Sequence, residues 1–289
     1  MGGMRNALTI DVEEYFQAHA YEKVVARADW ERLPSRVVAN TRRILGLLAA
    51  HRTRATFFVL GWVADRHPEL VAEIEAAGHE LGSHGYAHEL VYRQTRAQFA
   101  DDLGRSLAAI RRALGGRDGV LGYRAPGFSL TDGSVWALDV LREHGLQYDS
   151  SIQPVAPDGG ALRGGKRTGL RGAGRFAARL DAGLWEFPVS TVRLAGRTWP
   201  VAGGGWFRLL PLALTRRAIA RINGEGQPAI VYLHPWEFDP EEPHVPGAPA
   251  LSRFRHRVNV DKTETRLRRL LAEGEFGPLR EVFAVQLAA

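Results

Sequence analysis

The chain has 289 residues, of which 45% are hydrophobic and 24% are charged, as is typical of a folded globular protein rather than a disordered or fibrous one. It contains no cysteine. This excludes disulfides, thiolate nucleophiles and cysteine-bound zinc, so a metal ion would have to be held by histidine and carboxylate. The net charge of +6 rests almost entirely on arginine, with Lys23, Lys166 and Lys262 as the only lysines. Because no recognised nucleic-acid-binding motif accompanies this charge, we expect no nucleic-acid partner.

Targeting segments are not evident in the sequence. The N-terminal stretch MGGMRNALTI has neither the apolar core nor the small-residue cleavage site of a signal peptide. No apolar run along the chain reaches the length of a membrane span. We therefore expect a cytoplasmic protein.

Predicted strands and helices alternate from the N-terminus onward. In chain order, the strand-like segments are ALTIDVE, RATFFVLG, HELGSHG, VLGYRAPG, YDSSI, LWEFPVSTVRL and PAIVYLHPWEF. Apolar residues at helical spacing mark the segments SRVVANTRRILGLLAAH, HPELVAEIEAAG, TRAQFADDLGRSLAAIRRALGG, DGSVWALDVLREHG, LLPLALTRRAIARING and DKTETRLRRLLAEG. This alternation predicts parallel βα units, arranged either as an open sheet or as a barrel.

The alternation breaks near residues 153–181, where the segment APDGGALRGGKRTGLRGAGRF is rich in glycine and arginine. We interpret it as a surface insertion in a single domain over residues 1–289, which closes with an extension near residues 239–289. The simplest role for its basic side chains is to keep a flexible loop in solvent. A sharper alternative is peripheral contact with an anionic membrane surface. The basic residues in question are Arg163, Lys166, Arg167, Arg171, Arg175 and Arg179.

Three carboxylates stand at the end of the first predicted strand. Because side chains alternate between the faces of a strand, Asp11 and Glu13 should face one side and Glu14 the other. The carboxyl ends of parallel strands are where α/β folds bind ligands, so two carboxylates there indicate a metal site or a general base. A solvated strand end is the alternative interpretation.

Two histidines follow the third predicted strand in the segment GSHGYAHE. His84 and His88 lie four residues apart, and neutral imidazoles at this spacing can bind one cation if the segment between them curls into a helical turn. An incidental pair is the alternative.

Three more polar residues lie at the ends of later strands. They are Arg124 in GYRAPGFS, Asp149 in YDSSI and His234 in VYLHPWEF. Taken singly, each has a structural alternative: a surface ion pair, a turn acid and a hydrogen-bonded strand-end histidine. Taken with the two earlier motifs, they all fall at the carboxyl ends of successive predicted strands, which predicts one shared pocket.

In this order, the motifs TIDVE, SHGYAH, YRAPGFS, YDSSI and YLHPWE resemble those of the polysaccharide deacetylases. These are metal-dependent carbohydrate esterases that share the homology domain of the nodulation chitooligosaccharide deacetylase. The likeness covers about residues 8–238. The segments TIDVEEYF, LHPWEFDPEEP, FRHRVNVDKTETRLRRLL and FGPLREV further resemble the deacetylases associated with exosortase (PEP-CTERM) exopolysaccharide systems, which extends the likeness to nearly the whole chain.

The resemblance implies an α/β fold, a distorted (β/α) barrel of the polysaccharide deacetylase type with fewer than eight strands. It also implies a divalent metal ion, usually zinc, bound by one acid and two histidines. Carried over to this chain, His84 and His88 are metal ligands. The first motif departs from its commonest form, because Val12 stands where that form has a second aspartate. Some family members have an acid-x-acid form instead, and strand alternation then favours Glu13 over Glu14 as the acidic ligand.

The same resemblance implies the catalytic roles. Asp11 would be the general base, oriented by Arg124, and His234 would be the general acid, tuned by Asp149. A tryptophan that the family has in its fourth motif is missing from YDSSIQP, so the wall that binds the sugar should have a different shape here.

The activity implied is hydrolysis of N-acetyl groups on the amino sugars of an N-acetylated glycan, in exopolysaccharide biosynthesis. One alternative is an amidohydrolase of the same fold that acts on a cyclic imide or a peptidoglycan fragment, since the acid-x-acid motif also occurs in such relatives. Another is a non-catalytic glycan-binding scaffold. A scaffold should have lost Asp11 or His234, and both are present.

Overall fold

The structure, a computed structural model, describes residues 3–154, 174–180 and 182–288. Most of the predicted Gly/Arg-rich insertion, including Arg163, Lys166, Arg167 and Arg171, lies outside the described residues. Arg175 lies inside them and contacts the body of the protein, because its guanidinium is 2.8 Å from Glu225 and donates to the carbonyl of Thr191.

The described residues form eleven strands, all of them short. Their bounds are β1 Asn6–Val12, β2 Thr56–Val59, β3 Glu80–Ser83, β4 Gly122–Tyr123, β5 Tyr148–Asp149, β6 Ala178–Arg179, β7 Trp185–Glu186, β8 Thr191–Leu194, β9 Arg197–Pro200, β10 Ile230–Leu233 and β11 Phe276–Gly277.

Nine of these strands form one sheet. They run in the order β10-β1-β2-β3-β4-β5-β7-β6, and β11 pairs with the start of β1. Every neighbouring pair from β10 to β7 is parallel, whereas β6 is antiparallel to β7. The run from β10 to β7 therefore has fewer than eight parallel strands, and the predicted α/β fold with an incomplete, distorted barrel is confirmed.

The two ends of this curled sheet approach each other. Ser190, just beyond β7, donates its backbone N–H to the carbonyl of Ile230 in β10 at 3.3 Å and accepts the N–H of Ile230 on its hydroxyl at 2.7 Å. The sequence predicted a single strand over LWEFPVSTVRL. The structure divides it into β7 and β8, because Pro188 interrupts it without a backbone N–H for a sheet ladder.

Helices follow most of the parallel strands. Their bounds are α1 Val37–Ala50, α2 Gly61–Arg66, α3 Pro68–Ala76, α4 Arg96–Ala113, α5 Trp136–Glu143, α6 Gly204–Leu209, α7 Leu212–Gly224, α8 Ala250–Arg257, α9 Val260–Glu273, α10 Leu279–Val282 and α11 Ala284–Leu287. The six predicted helical segments correspond to α1, α3, α4, α5, α7 and α9. None of the described helices is long and apolar enough to cross a membrane.

The largest hydrophobic core lies between the sheet and these helices. It combines residues from distant parts of the chain, such as Ile10 in β1, Phe57 in β2, Val231 in β10 and Leu267 in α9. A second cluster, with Phe58, Tyr148 and Phe187, packs beside it. The guanidinium of Arg124 lies 4.3 Å over the ring of Phe58, so this aromatic cluster supports the buried arginine of the candidate site.

Candidate metal centre and active site

The site begins at the carboxyl end of β1, where Asp11 and Glu13 point in one direction and Glu14 in another. Asp11 and Glu13 are both buried. The carboxylate of Glu14 instead accepts the backbone N–H of Arg36 at 2.9 Å and of Val37 at 3.2 Å. These N–H groups belong to the residue before α1 and to the first residue of α1. N–H groups at a helix start have no partner within the helix, so Glu14 caps α1.

The turn after β3 brings the two histidines to Glu13. Asp102 of α4 accepts the backbone N–H groups of Tyr86 at 2.8 Å and Ala87 at 3.1 Å and so holds the turn in place. Backbone φ angles of 74° at Gly85 and 51° at His88 fold the segment back. The expected helical turn is therefore replaced by an irregular one with two left-handed residues, which still places the imidazole rings 5.5 Å apart.

Glu13, His84 and His88 form a compact group of possible metal ligands. Nε2 of His88 lies 2.8 Å and Nε2 of His84 lies 3.8 Å from the same carboxylate oxygen of Glu13, and one donor atom from each residue fits within 4.8 Å of the others. His84 donates its Nδ1–H to the carbonyl of Arg124 at 2.7 Å, which leaves Nε2 free to bind a cation.

The protonation states of these groups fit a cation. Burial lowers the pKa of His84 to about 4, so the ring is neutral at pH 7. Burial would raise the pKa of Glu13, but the neighbouring imidazoles, with His88 foremost, outweigh burial and hold that pKa below its ordinary value. Imidazole nitrogens together with an ionised carboxylate suit zinc and similar divalent ions. Trp236 also donates its indole N–H to the other oxygen of Glu13 at 3.0 Å, as outer partners of metal ligands do.

Arg124 is fully buried and holds Asp11. One terminal nitrogen donates to Asp11 Oδ1 at 2.8 Å and to the hydroxyl of Thr9 at 2.7 Å. Nε and the other terminal nitrogen donate to the carbonyl and the hydroxyl of Ser150 at 3.1 and 2.8 Å. The guanidinium is thus fixed from both sides, and the second oxygen of Asp11 remains directed toward His234.

His234 follows β10 and faces both acids across the site. Its Nε2 lies 3.8 Å from Asp11 Oδ2 and 3.9 Å from Glu13 Oε1. Its Nδ1 lies 2.7 Å from the carboxylate of Glu237. Burial would lower the pKa of His234, but the hydrogen bond to Glu237 and the charges of Glu13, Glu237 and Asp11 raise it to about 9.

Asp149, which was expected to tune His234, lies beside another carboxylate instead. It lies on β5 beside Glu186 on β7, and the hydroxyl of Ser151 donates to its Oδ1. Burial raises the pKa of Asp149 to about 6 and that of Glu186 well above its ordinary value, the latter also because of the charge of Asp149. Among the described residues, Glu237 is the acid on Nδ1 of His234, so no contact supports a tuning role for Asp149.

The structure thus brings together six of the seven predicted site residues, which are Asp11, Glu13, His84, His88, Arg124 and His234. Two residues at this site were not predicted from the sequence. The first is Glu237, although its position three residues after His234, in a turn opened by Pro235, was a signal for this contact. The second is Arg208, whose Nε donates to Glu237 at 2.6 Å. No local pattern marks Arg208, because this contact joins residues far apart in the chain.

Two family descriptions match successive parts of the chain. Residues 29–148 match the family described as Polysaccharide deacetylase. Residues 150–284 match a family described as Domain of unknown function (DUF3473). The boundary between them falls at β5, inside the nine-stranded sheet.

Curated relatives resemble part of the chain. A peptidoglycan deacetylase from Helicobacter pylori is 33% identical over 110 residues, which cover 38% of this chain and 36% of the relative. A chitooligosaccharide deacetylase from a Bradyrhizobium species is 37% identical over 73 residues, or 25% of this chain and 33% of the relative. The matched region therefore spans about a third of the length of each of these relatives.

Solved structures share the fold over nearly the whole chain. A candidate polysaccharide deacetylase from Mycobacterium smegmatis has a TM-score of 0.62 at 21% identity and covers 100% of this chain and 91% of its own. A family 4 carbohydrate esterase from Streptomyces lividans, solved with acetate, has a TM-score of 0.52 at 18% identity and covers 96% and 93%. Residues 29–148 of the chain therefore match the polysaccharide deacetylase family, and the chain shares its fold with these solved structures.

Proposed function

We propose that this protein is a metal-dependent hydrolase that removes N-acetyl groups from the amino sugars of an oligo- or polysaccharide. The observation that carries the proposal is the placement of Asp11 and His234, which face each other at 3.8 Å beside the group of Glu13, His84 and His88. An acid and a base that face each other beside a cation site are what amide hydrolysis requires. The names of the relatives, which include peptidoglycan and chitooligosaccharide deacetylases, support an N-acetylated glycan as the substrate class.

Glu13, His84 and His88 would hold the divalent cation, with zinc the first choice for such ligands. Bound there, the cation would supply Lewis acidity, which polarises the acyl carbonyl and makes water more acidic. Trp236 would keep the Glu13 carboxylate in place through its indole N–H.

Asp11 would act as the base. Its Oδ1 is held by Arg124, and its Oδ2 is the oxygen that faces the site and takes a proton from the attacking water. The new bond joins the water oxygen to the acyl carbon and gives a tetrahedral adduct. Arg124 keeps the carboxylate at a fixed angle, so little rearrangement is needed when the proton moves.

His234 would act as the acid. With a pKa raised to about 9, its imidazole is protonated at neutral pH, and Nε2–H can protonate the sugar nitrogen as the C–N bond breaks. An amine leaves poorly without that proton. Because Nε2 and Asp11 Oδ2 lie 3.8 Å apart, the proton held by Asp11 can pass to His234 afterwards, which restores both groups and leaves acetate and a free amine.

The finer assignment, to exopolysaccharide biosynthesis, is supported by motifs such as LHPWEFDPEEP and FRHRVNVDKTETRLRRLL. A second candidate is a hydrolase of the same fold that acts on a peptidoglycan fragment or a cyclic imide. The acid-x-acid motif at Asp11 and Glu13 and the name of the Helicobacter pylori relative favour this alternative.

Acetate release tests the proposal. Protein loaded with one equivalent of zinc is incubated with chitooligosaccharides, poly-N-acetylglucosamine, peptidoglycan fragments and a cyclic imide. We expect acetate and free amine in equal amounts from at least one N-acetylated glycan, and loss of activity when a chelator removes the metal. Opening of the imide with no acetate from any glycan would contradict the proposal and support the second candidate.

The roles of the acid and base are tested in the same assay. Asp11→Asn and His234→Gln should each lower turnover by roughly 10²-fold or more, because each removes one proton transfer. Both variants should still bind zinc, since neither residue belongs to the ligand group. Near wild-type turnover in both variants would show that the mechanism is wrong.

A further inference from the structure

Glu237 makes two hydrogen bonds to His234 and is itself fully buried. It lies in a single 3₁₀ turn, Pro235–Phe238, that begins directly after His234. One carboxylate oxygen lies 2.7 Å from Nδ1 of His234 and accepts the backbone N–H of the same residue at 3.0 Å. The other oxygen accepts Nε–H of Arg208 at 2.6 Å. Both oxygens are therefore engaged, and the carboxylate cannot rotate without losing a partner.

Arg208 is buried as well, and it joins Glu237 to the junction between α8 and α9. Its terminal nitrogens donate to three backbone carbonyls in that junction. The distances are 3.0 Å to Arg255, 2.8 Å to His256 and 2.9 Å to Val258. This arrangement uses the planar fork of the guanidinium, which lysine could not reproduce.

A buried ion pair of this kind is weak evidence for stability, because the desolvation of two charges offsets much of their attraction. The effect of this pair on the orientation of the His234 ring is more informative. Tyr232 and Trp236 contact the ring of His234 edge-on and face-on, with centroids at 5.8 and 4.8 Å. These contacts restrain the plane of the imidazole, but they do not determine which nitrogen faces the site. The hydrogen bond from Nδ1–H to Glu237 determines which nitrogen faces the site, because it leaves Nε2 facing Asp11.

We propose that Glu237, held by Arg208, is the positioning residue that fixes the orientation of His234, with Nε2 directed at the leaving nitrogen. This inference rests on the proposed deacetylation. It gives a role to the segment over residues 150–284, which supplies the acid, the carboxylate that orients it and the arginine that holds the carboxylate. The segment thereby forms one side of the active site whose other side, with Asp11 and the three ligands, comes from the N-terminal half.

Glu237→Gln is the variant that tests this role. Glutamine has nearly the same shape, but only one of its two terminal atoms accepts hydrogen bonds. It cannot accept from both Arg208 and His234, so one contact is lost without a cavity. The matched control is Glu242→Gln, since Glu242 also forms a buried pair with a histidine, 2.8 Å from Nε2 of His256.

Two readouts separate positioning from structure. In the zinc-loaded protein, nitrogen-15 NMR of the histidine side chains, with His234 assigned from the spectrum of His234→Gln, should show a hydrogen-bonded Nδ1–H at His234. That signal should be altered or lost in Glu237→Gln and retained in Glu242→Gln. In the acetate assay, kcat of Glu237→Gln should fall roughly 10- to 100-fold with little change in KM, because a misdirected acid affects the chemical step.

Two results would overturn the inference: wild-type kcat in Glu237→Gln, or an equal fall in kcat in Glu242→Gln. If Glu237→Gln does not fold, Arg208→Lys replaces it, with an expected smaller fall in kcat. An unchanged kcat in Arg208→Lys would likewise overturn the role of that residue. If the wild type releases no acetate, the proposed function fails, whereas the NMR comparison still tests the contact between Glu237 and His234.

Discussion

Asp11, Glu13 and Glu14 lie within four positions of the chain and meet three different environments. Asp11 faces Arg124, Glu13 faces the two histidines, and Glu14 caps α1. At the scale of single residues, strand alternation is enough to separate Glu13 from Glu14. It does not separate Asp11 from Glu13, because both point to the same face, and their different roles depend on which strand lies beside each of them.

Replacement of the two adjacent glutamates by alanine tests this division. Glu13→Ala should abolish stoichiometric zinc binding, measured by titration calorimetry on protein stripped of metal, because it removes one of three ligands. Glu14→Ala should bind zinc normally. It should lose about 1–2 kcal/mol of stability in denaturant unfolding, because N–H groups at the start of α1 lose their acceptor. Zinc binding that survives in Glu13→Ala and fails in Glu14→Ala would reverse the assignment.

At the scale of secondary structure, the strand ends determine which side chains meet. β5 and β7 are parallel neighbours, and their register places Asp149 directly beside Glu186. Asp149 Oδ2 and Glu186 Oε2 have no hydrogen-bond partner among the described residues. Since two buried carboxylates side by side repel each other, and both pKa values are raised, we infer that the pair retains a proton at neutral pH.

This pair predicts a pH dependence of stability with a definite sign. Above the ordinary carboxyl pKa of about 4, the unfolded chain releases a proton that the native pair keeps. Unfolding therefore becomes easier as the pH rises from there through the raised pKa of Asp149, about 6, and beyond it, because the pKa of Glu186 is also raised well above its ordinary value. The variant Glu186→Gln removes the second carboxylate from this pair. The glutamine oxygen can still accept the backbone N–H of Ile152, and its amide N–H can donate to Asp149, so no second negative charge is present.

Urea unfolding of metal-free wild type and Glu186→Gln between pH 4 and 8 provides the measurement. The stability of the variant relative to the wild type should increase with pH, by at most roughly 1.4 kcal/mol per pH unit for one proton. Parallel stability curves for the two proteins would show that the pair does not retain a proton.

At the scale of the whole molecule, β1 joins the two halves of the chain. It lies between β2 from the N-terminal half and β10 from the C-terminal half, and β11 pairs with its first residues. The largest core likewise mixes residues of both halves. The boundary between the two family matches therefore does not mark a boundary between two independent cores.

We accordingly predict that the protein unfolds as one unit. Differential scanning calorimetry should give a single transition whose calorimetric and van't Hoff enthalpies agree, as two-state unfolding requires. Residues 1–149 expressed alone should lack a cooperative transition, because β1 would lose β10 and β11. Two separated transitions, or a stably folded fragment, would favour two domains over the predicted single one.

The sequence by itself determined the alternation of strands and helices and the motifs at the strand ends, whereas periodicity left an open sheet and a barrel equally open. These features depend on local periodicity and on residue types that the chemistry requires. It also distinguished Glu13 from Glu14, because the alternation of side chains along a strand is a local property. Only the tertiary structure decided that Glu237 is the partner of His234 and that Asp149 lies beside Glu186. It alone also decided that Arg208 joins Glu237 to the junction between α8 and α9. Each of these contacts depends on how strands and helices from distant parts of the chain pack, and such packing leaves no periodic pattern in the sequence.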